Sequence, residues 1–248
     1  MLRNDSLFQL LWVFSLTCGL SATAGAQPAT FRVETSIFEG SSKDAVAKHL
    51  ILFDGGLVYD LPIIEDRFVT VYDSPRKRVI LLDRQTKTRS TIGIEDLVRI
   101  TAQARSAAET REQQARLGIL ATPEFDPDAS VYSIEFGEAS YKTTVQETSD
   151  VDIALQYGQF ADLASRLNLV RRIGLPPFAR MSLNQRIATD GKMPKETSLA
   201  IRRGIAVDRF RSTHQVIAYL SQSDRKQIEE AGSMLALYNE VGLEKMQP

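Results

Sequence analysis

Cysteine is almost absent from this chain of 248 residues, where Cys18 stands alone. One thiol excludes an internal disulfide and a zinc-thiolate cluster. Histidine is nearly as scarce, with only His49 and His214, so no H-E-x-x-H spacing exists. The formal net charge is −1 and the pI is near 6.2, whereas nucleic-acid binders carry a strongly basic domain. No nucleic-acid partner is expected, and neither a cofactor nor a metal. No G-x-S-x-G occurs, and Gly55-Gly56 precedes a strand pattern, so it cannot build a phosphate cradle at a helix N-terminus.

What is present reads as a folding sequence, with 43% hydrophobic and 25% charged residues. A chain of this length buries roughly 70% of the surface its unfolded form exposes, enough for a core without staples. Arg3 precedes the apolar run Leu7 to Leu20, and small residues follow, ending Ala24-Gly25-Ala26. That order predicts a signal peptide over residues 1–26, cleaved after Ala26, and hence export to a periplasmic or extracellular destination. The run is shorter than the ~20 residues that span a hydrocarbon core. Two alternatives stay open: retention as a membrane anchor, and lipidation at Cys18.

From Phe31 the chain alternates, with Phe31, Val33, Thr35 and Ile37 on one side and Arg32, Glu34 and Ser36 on the other. Period two predicts a half-buried strand. Further strands are predicted at Lys48 to Phe53, Leu57 to Leu61, Phe68 to Asp73, Arg78 to Asp83 and Thr88 to Ile92. Asp54-Gly55-Gly56 and Ser74-Pro75 supply tight turns, so consecutive strands must run antiparallel. A helix is expected from Glu95-Asp96 to about Leu117, with Gly118 as its C-cap. Val131 to Phe136 and Tyr141 to Gln146 read as a hairpin. Ser149 is placed to cap a helix carrying the stripe Ile153, Tyr157, Phe160, Ala161, Ala164 and Leu167. Pro176-Pro177 opens another helix to about Thr189, which Gly191 ends and Pro194 keeps from resuming. Strands return at Thr197 to Arg203 and Arg209 to Leu220, and a last helix starts near Ser223. Runs of strands followed by runs of helices predict an α+β domain over residues 27–248, an antiparallel meander with about four helices on or across it. A weak seam is expected near residues 121–128.

Few side chains invite chemistry. His49 shares a strand face with Ile51 and Phe53, and His214 one with Phe210, Val216 and Leu220. Both read either as hydrogen-bonded core histidines or as residues that meet across the sheet and line a pocket. The second reading makes His49 and His214 the candidate ligand-binding residues. Ser223 to Lys226 matches S-x-x-K without its companion motifs, so helix capping accounts for Ser221 and Ser223. Glu124, Asp126 and Asp128 lack the spacing and glycine of a calcium loop and read as an acidic turn. The basic runs Arg76-Lys77-Arg78, Arg171-Arg172 and Arg202-Arg203 read as turns or solvated strand faces.

The segments FDGGLVYDL and FVTVYDSPRKRVILLD, with Tyr59-Asp60 and Tyr72-Asp73-Ser74-Pro75, resemble the hairpins of periplasmic outer-membrane lipoprotein-sorting carriers. The resemblance covers residues 48–92. It implies an unclosed, strongly curved half-barrel with helices across its mouth and a concave face that holds something apolar. Those carriers place a helix before the first strand, where this chain has the strand at Phe31, and the helical insert from Ile94 has no counterpart. No functional residue is therefore transferred. The leading expectation is an exported, non-enzymatic protein that binds a hydrophobic or acyl-chain ligand. A cell-envelope interaction or structural protein and a hydrolase with a scattered site are the alternatives.

Overall fold

The computed structural model describes residues 29–148 and 150–246. The expected signal segment 1–26 with Cys18, and the expected cap Ser149, lie outside these residues. Six strands follow the alternation in the sequence: β1 (Phe31–Glu39), β2 (Ala47–Asp54), β3 (Leu57–Pro62), β4 (Phe68–Asp73), β5 (Arg78–Asp83) and β6 (Thr88–Gly93). Each pairs antiparallel with the next. The β2–β3 turn places Gly55 and Gly56 at φ +58° and +85°, the consecutive positive values that a two-residue hairpin of matching twist requires.

The next segment departs from the single helix expected through Leu117. Two helices form instead, α1 (Ile94–Ser106) and α2 (Arg111–Arg116). Thr110 starts the second one, its hydroxyl accepting from the Gln113 N–H while Gln113 bonds back to the Thr110 N–H. This capping box satisfies amides that a continuous helix would have bonded internally, which is why the chain breaks there.

A three-residue strand, β7 (Glu124–Asp126), then pairs with β8 (Val131–Phe136), which pairs with β9 (Ala139–Glu147). The segment read as an acidic turn thus supplies a sheet edge, and Asp126 accepts backbone N–H bonds from Asp128 and Ala129. Helices α3 (Val151–Val170) and α4 (Phe178–Thr189) follow, then β10 (Lys192–Arg203), β11 (Ala206–Ile217), α5 (Gln222–Leu237) and the short β12 (Asn239–Glu240). Asp150 is the N-cap of α3, its carboxylate accepting from the Asp152 N–H. β10 starts five residues earlier than expected and absorbs Pro194 in an irregularity of register between Pro194 and Glu196. Proline has no N–H to give the ladder, and such a bulge tolerates the loss.

All twelve strands belong to one open sheet in the order β12-β6-β5-β4-β3-β2-β1-β11-β10-β9-β8-β7. β1 joins the N-terminal meander to the later strands, since it pairs with both β2 and β11. Only the β12–β6 pairing is parallel among the described residues. The two edge strands are two and three residues long, which leaves little open ladder for unwanted pairing.

Both faces of the central strands are covered. Phe31, Val33, Ile51, Phe53, Tyr72, Val79 and Leu81 meet α3 on one face. Phe31 and Phe53 stack with ring centroids 4.0 Å apart, and Phe160 of α3 meets Phe53 and Tyr72 edge-on. The intervening residues Leu50, Leu52, Val69, Val71, Ile80 and Leu82 point the other way, against Ile228, Ala231 and Leu235 of α5. This double cover explains the unbroken buried runs in β2, β4 and β5. Each fully buried Val, Leu or Phe contributes about 1.5–3 kcal/mol. α5 is pinned at its start by Asp224, which accepts from Ser221 and from Arg32 of β1. α4 lies against α3 and over β8, where Ala179, Leu183 and Ile187 bury Tyr132 and Ile134. No helix of the described residues is long and apolar enough to cross a membrane.

Candidate functional site

Helix α3 carries two inward stripes that differ in size. Ile153, Phe160 and Leu167 are buried in the core above the sheet, whereas the smaller Ala161, Ala164 and Ser165 are only partly buried and, with the exposed Asn168, border open space. A cavity of about 990 Å³ opens beneath the small stripe. Its floor comes from seven strands adjacent in the sheet, β4 through β9, and its remaining wall from Arg180 of α4 and residues 173–177 between the helices. Most of the lining is apolar, with Ile37, Ile51, Phe68, Tyr141, Leu199 and Phe210 prominent. The volume lies at the top of the range of about 300–1,000 Å³ typical for small-molecule sites.

A polar track crosses this floor. Thr35 of β1 stands opposite His49 of β2 on one side and His214 of β11 on the other, so all three project from the same face. The Thr35 hydroxyl lies 3.1 Å from His214 Nδ1, and the Tyr157 hydroxyl of α3 lies 3.0 Å from the same nitrogen. On its other side His214 Nε2 is 3.1 Å from the Ser212 hydroxyl, which points on to the Thr197 carbonyl. Thr197 and Thr143 continue the track, with their hydroxyls 3.0 Å apart.

The bonding pattern assigns one tautomer. Ser212 directs its proton to the Thr197 carbonyl, so its oxygen accepts from Nε2–H, and the single lone pair of Nδ1 is left to accept from one of the two hydroxyls beside it. His214 is therefore neutral. Burial pushes its pKa down to about 3, with the Arg180 charge adding to the effect. Burial likewise pushes Tyr157 up to about 12, against the pull of Arg180.

His49 sits in a different setting at the wetter part of the floor. Its Nδ1 is 2.6 Å from Asp60 Oδ1 of β3, and both side chains keep some solvent contact. Burial alone would lower the His49 pKa, but the hydrogen bond to Asp60 and the charge of that carboxylate outweigh it and raise the value. The pair can hold a proton or orient the ring, as a general base requires. No group of three or more His, Cys, Asp or Glu side chains gathers among the described residues in the manner of a metal site.

Two cations complete the lining. Arg180 lies over the ring of Tyr141, 5.4 Å from its centroid, and Arg171, the C-cap of α3, lies 5.2 Å from the centroid of Phe68. Close to Arg180, burial pushes the Asp162 carboxyl up to about 6 against its bond from Asn184.

Of the residues singled out in the sequence, His49 and His214 both line this one cavity, bridged in register by Thr35. In the sequence Thr35, Tyr157 and Ser212 show only strand or helix pattern, because their convergence depends on a register joining residue 35 to residue 214. Arg171, read as part of a solvated basic run, is half-buried and faces the cavity, while Arg172 beside it is exposed. Ser223 lies in the first turn of α5, with Ser221 as its cap, away from the cavity. Compared with known proteins, the chain matches no family model, and no curated protein matches it in sequence.

Proposed function

We propose that this protein is an exported, non-enzymatic binding protein that holds an apolar, acyl-chain ligand between its sheet and α3. The observation that carries the proposal is the cavity of about 990 Å³, lined by aromatic and aliphatic floor residues and roofed by the small stripe of α3. Small helix residues above large apolar strand residues leave room that the chain's own side chains do not fill. A cavity lined by seven strands adjacent in the sheet supports a sheet bowed around the helix, the shape that the resemblance to lipoprotein-sorting carriers at residues 48–92 implies. Export rests on the order of Arg3, the apolar run and Ala24-Gly25-Ala26. His49 and His214 contribute the polar part of the ligand site. The test is organic extraction of the purified native protein followed by mass spectrometry. A stoichiometric acyl-chain compound supports the reading, and a clean extract from protein that also fails to take up added fatty acid refutes it.

A second reading has one observation behind it. The His49–Asp60 pair opens on the cavity with a raised histidine pKa, the arrangement of a general base in a hydrolase. Hydrolysis of p-nitrophenyl esters that is abolished by His49→Ala would establish it, and activity unaffected by that change would remove it.

A further inference from the structure

Arg171 is a guanidinium without an anion. Neither it nor Arg180 forms an ion pair among the described residues, although most other arginines near the sheet do. The contrast is sharpest at Phe68, whose ring meets two guanidiniums. Arg67, 4.5 Å from the centroid, is bonded to Asp83 at 2.8 Å, whereas Arg171 has no carboxylate partner. The Arg171 Nε is also buried with no hydrogen-bond partner. The acids that line the cavity do not answer this charge, since Asp60 is engaged by His49 and Glu65 stands exposed in the β3–β4 loop. Burial lowers the Arg171 pKa, and the nearby Tyr72 offsets this only in part. Arg32, Arg84 and Arg89 also bury an Nε without a hydrogen bond, but each of those guanidiniums is ion-paired to a carboxylate, and Arg171 is not.

We infer that the ligand is an anionic amphiphile, whose carboxylate or phosphate is held by Arg171 at the end of α3 while its hydrocarbon part lies along the floor. This rests on the cavity-binding reading above and names the ligand class for that site. Guanidinium is suited to the task because it offers two parallel N–H donors to a carboxylate or phosphate. Arg180, on the far side of the floor over Tyr141, keeps the cavity positive without reaching the same group.

The experiment compares cis-parinaric acid with its methyl ester, which have the same chain and differ in charge, by fluorescence titration of the full chain. The acid is expected to bind at least about ten-fold more tightly, as for a charge-assisted hydrogen bond. Arg171→Met keeps the stem and removes the charge. It is expected to erase the preference, bringing acid affinity down to that of the ester, and to leave the melting temperature of the empty protein unchanged or raised. Equal binding of acid and ester by the unaltered protein overturns the inference while leaving the cavity reading intact. So does a preference that survives Arg171→Met. Failure of both compounds to bind overturns the cavity reading itself. Competition by palmitate and by monoacyl phosphatidylglycerol then separates a free fatty acid from a phospholipid source. Displacement by either supports an anionic head group, and displacement by neither overturns it.

Discussion

Lowering the pH from about 7.5 to about 4.5 puts a proton on His214 in the unfolded chain but not in the folded one. The ring is 8% exposed, its Nδ1 lone pair already accepts from a hydroxyl, and its pKa is pushed from 6.5 down to about 3. A depressed histidine pKa means that its contribution to stability is present in full above about pH 6.5 and is lost as the pH falls toward about 3. At about 1.4 kcal/mol per pH unit, the loss is about 3 kcal/mol at pH ~4.5 and about 4 kcal/mol near pH ~3. Two neighbours titrate with the opposite sign. The raised pKa of His49 gives a contribution that is fully present below pH 6.5 and fades as pH rises through its folded value. Asp162, raised to about 6 from an ordinary 3.8, gains stability for the fold as pH falls between those values. The informative quantity is therefore the difference between the unaltered protein and His214→Gln, measured by urea unfolding across the range. Their gap in unfolding free energy is expected to narrow by about 3 kcal/mol between pH ~7.5 and pH ~4.5. A gap independent of pH, or a His214 ring that titrates near 6.5 by NMR, refutes the bonding pattern assigned to the track.

Other substitutions probe the supports of the site. A Cβ on Gly158 would lie 2.6 Å from the Ala188 Cβ, so Gly158→Ala is expected to push α3 from α4 and lower stability by about 1–3 kcal/mol, despite the better helix propensity of alanine. A rise in the urea midpoint would show that the helices are not in contact there. Asp224→Ala removes the carboxylate half of the capping box at Ser221 and the partner of Arg32, for an expected loss of about 2–4 kcal/mol in thermal or urea unfolding. A change under 0.5 kcal/mol, the range of ordinary surface substitutions at about ±0.5, would contradict it. Asp60→Asn takes away the charge that raises His49, so the ring's pKa should fall in an NMR titration, and an unchanged value would break the pairing.

The N-terminal meander was legible because its signals agree: strict alternation, β-branched content and turns such as Asp54-Gly55-Gly56 all point to the same strands. The break after α1 was written in the sequence as Thr110 and Gln113, but the polar run around them also fits a helix interior, and only the capping geometry separates the two. β7 escaped because three residues hold no period. Pro194 misled for a different reason: a residue that ends helices is also tolerated at a bulge, and the pairing of β10 with β9 decides between them. The cavity could be read least of all. Thr35, Ser212, Thr197 and Thr143 look like ordinary strand residues until the register sets them in one line with His214. The alanines of α3 looked like a core stripe, and whether a small residue marks tight packing or open space depends on how far the facing sheet stands away.

The central claim is that the space under Ala164 and Ser165 exists to be filled by a ligand. Titrating the full chain with cis-parinaric acid, beside Ala164→Trp and Ser165→Trp, tests it most directly. Saturable one-to-one binding is expected for the unaltered protein and its loss in both variants, with melting temperatures maintained because each indole occupies vacant volume. Binding undiminished in both variants, or no binding by the unaltered protein, would contradict it.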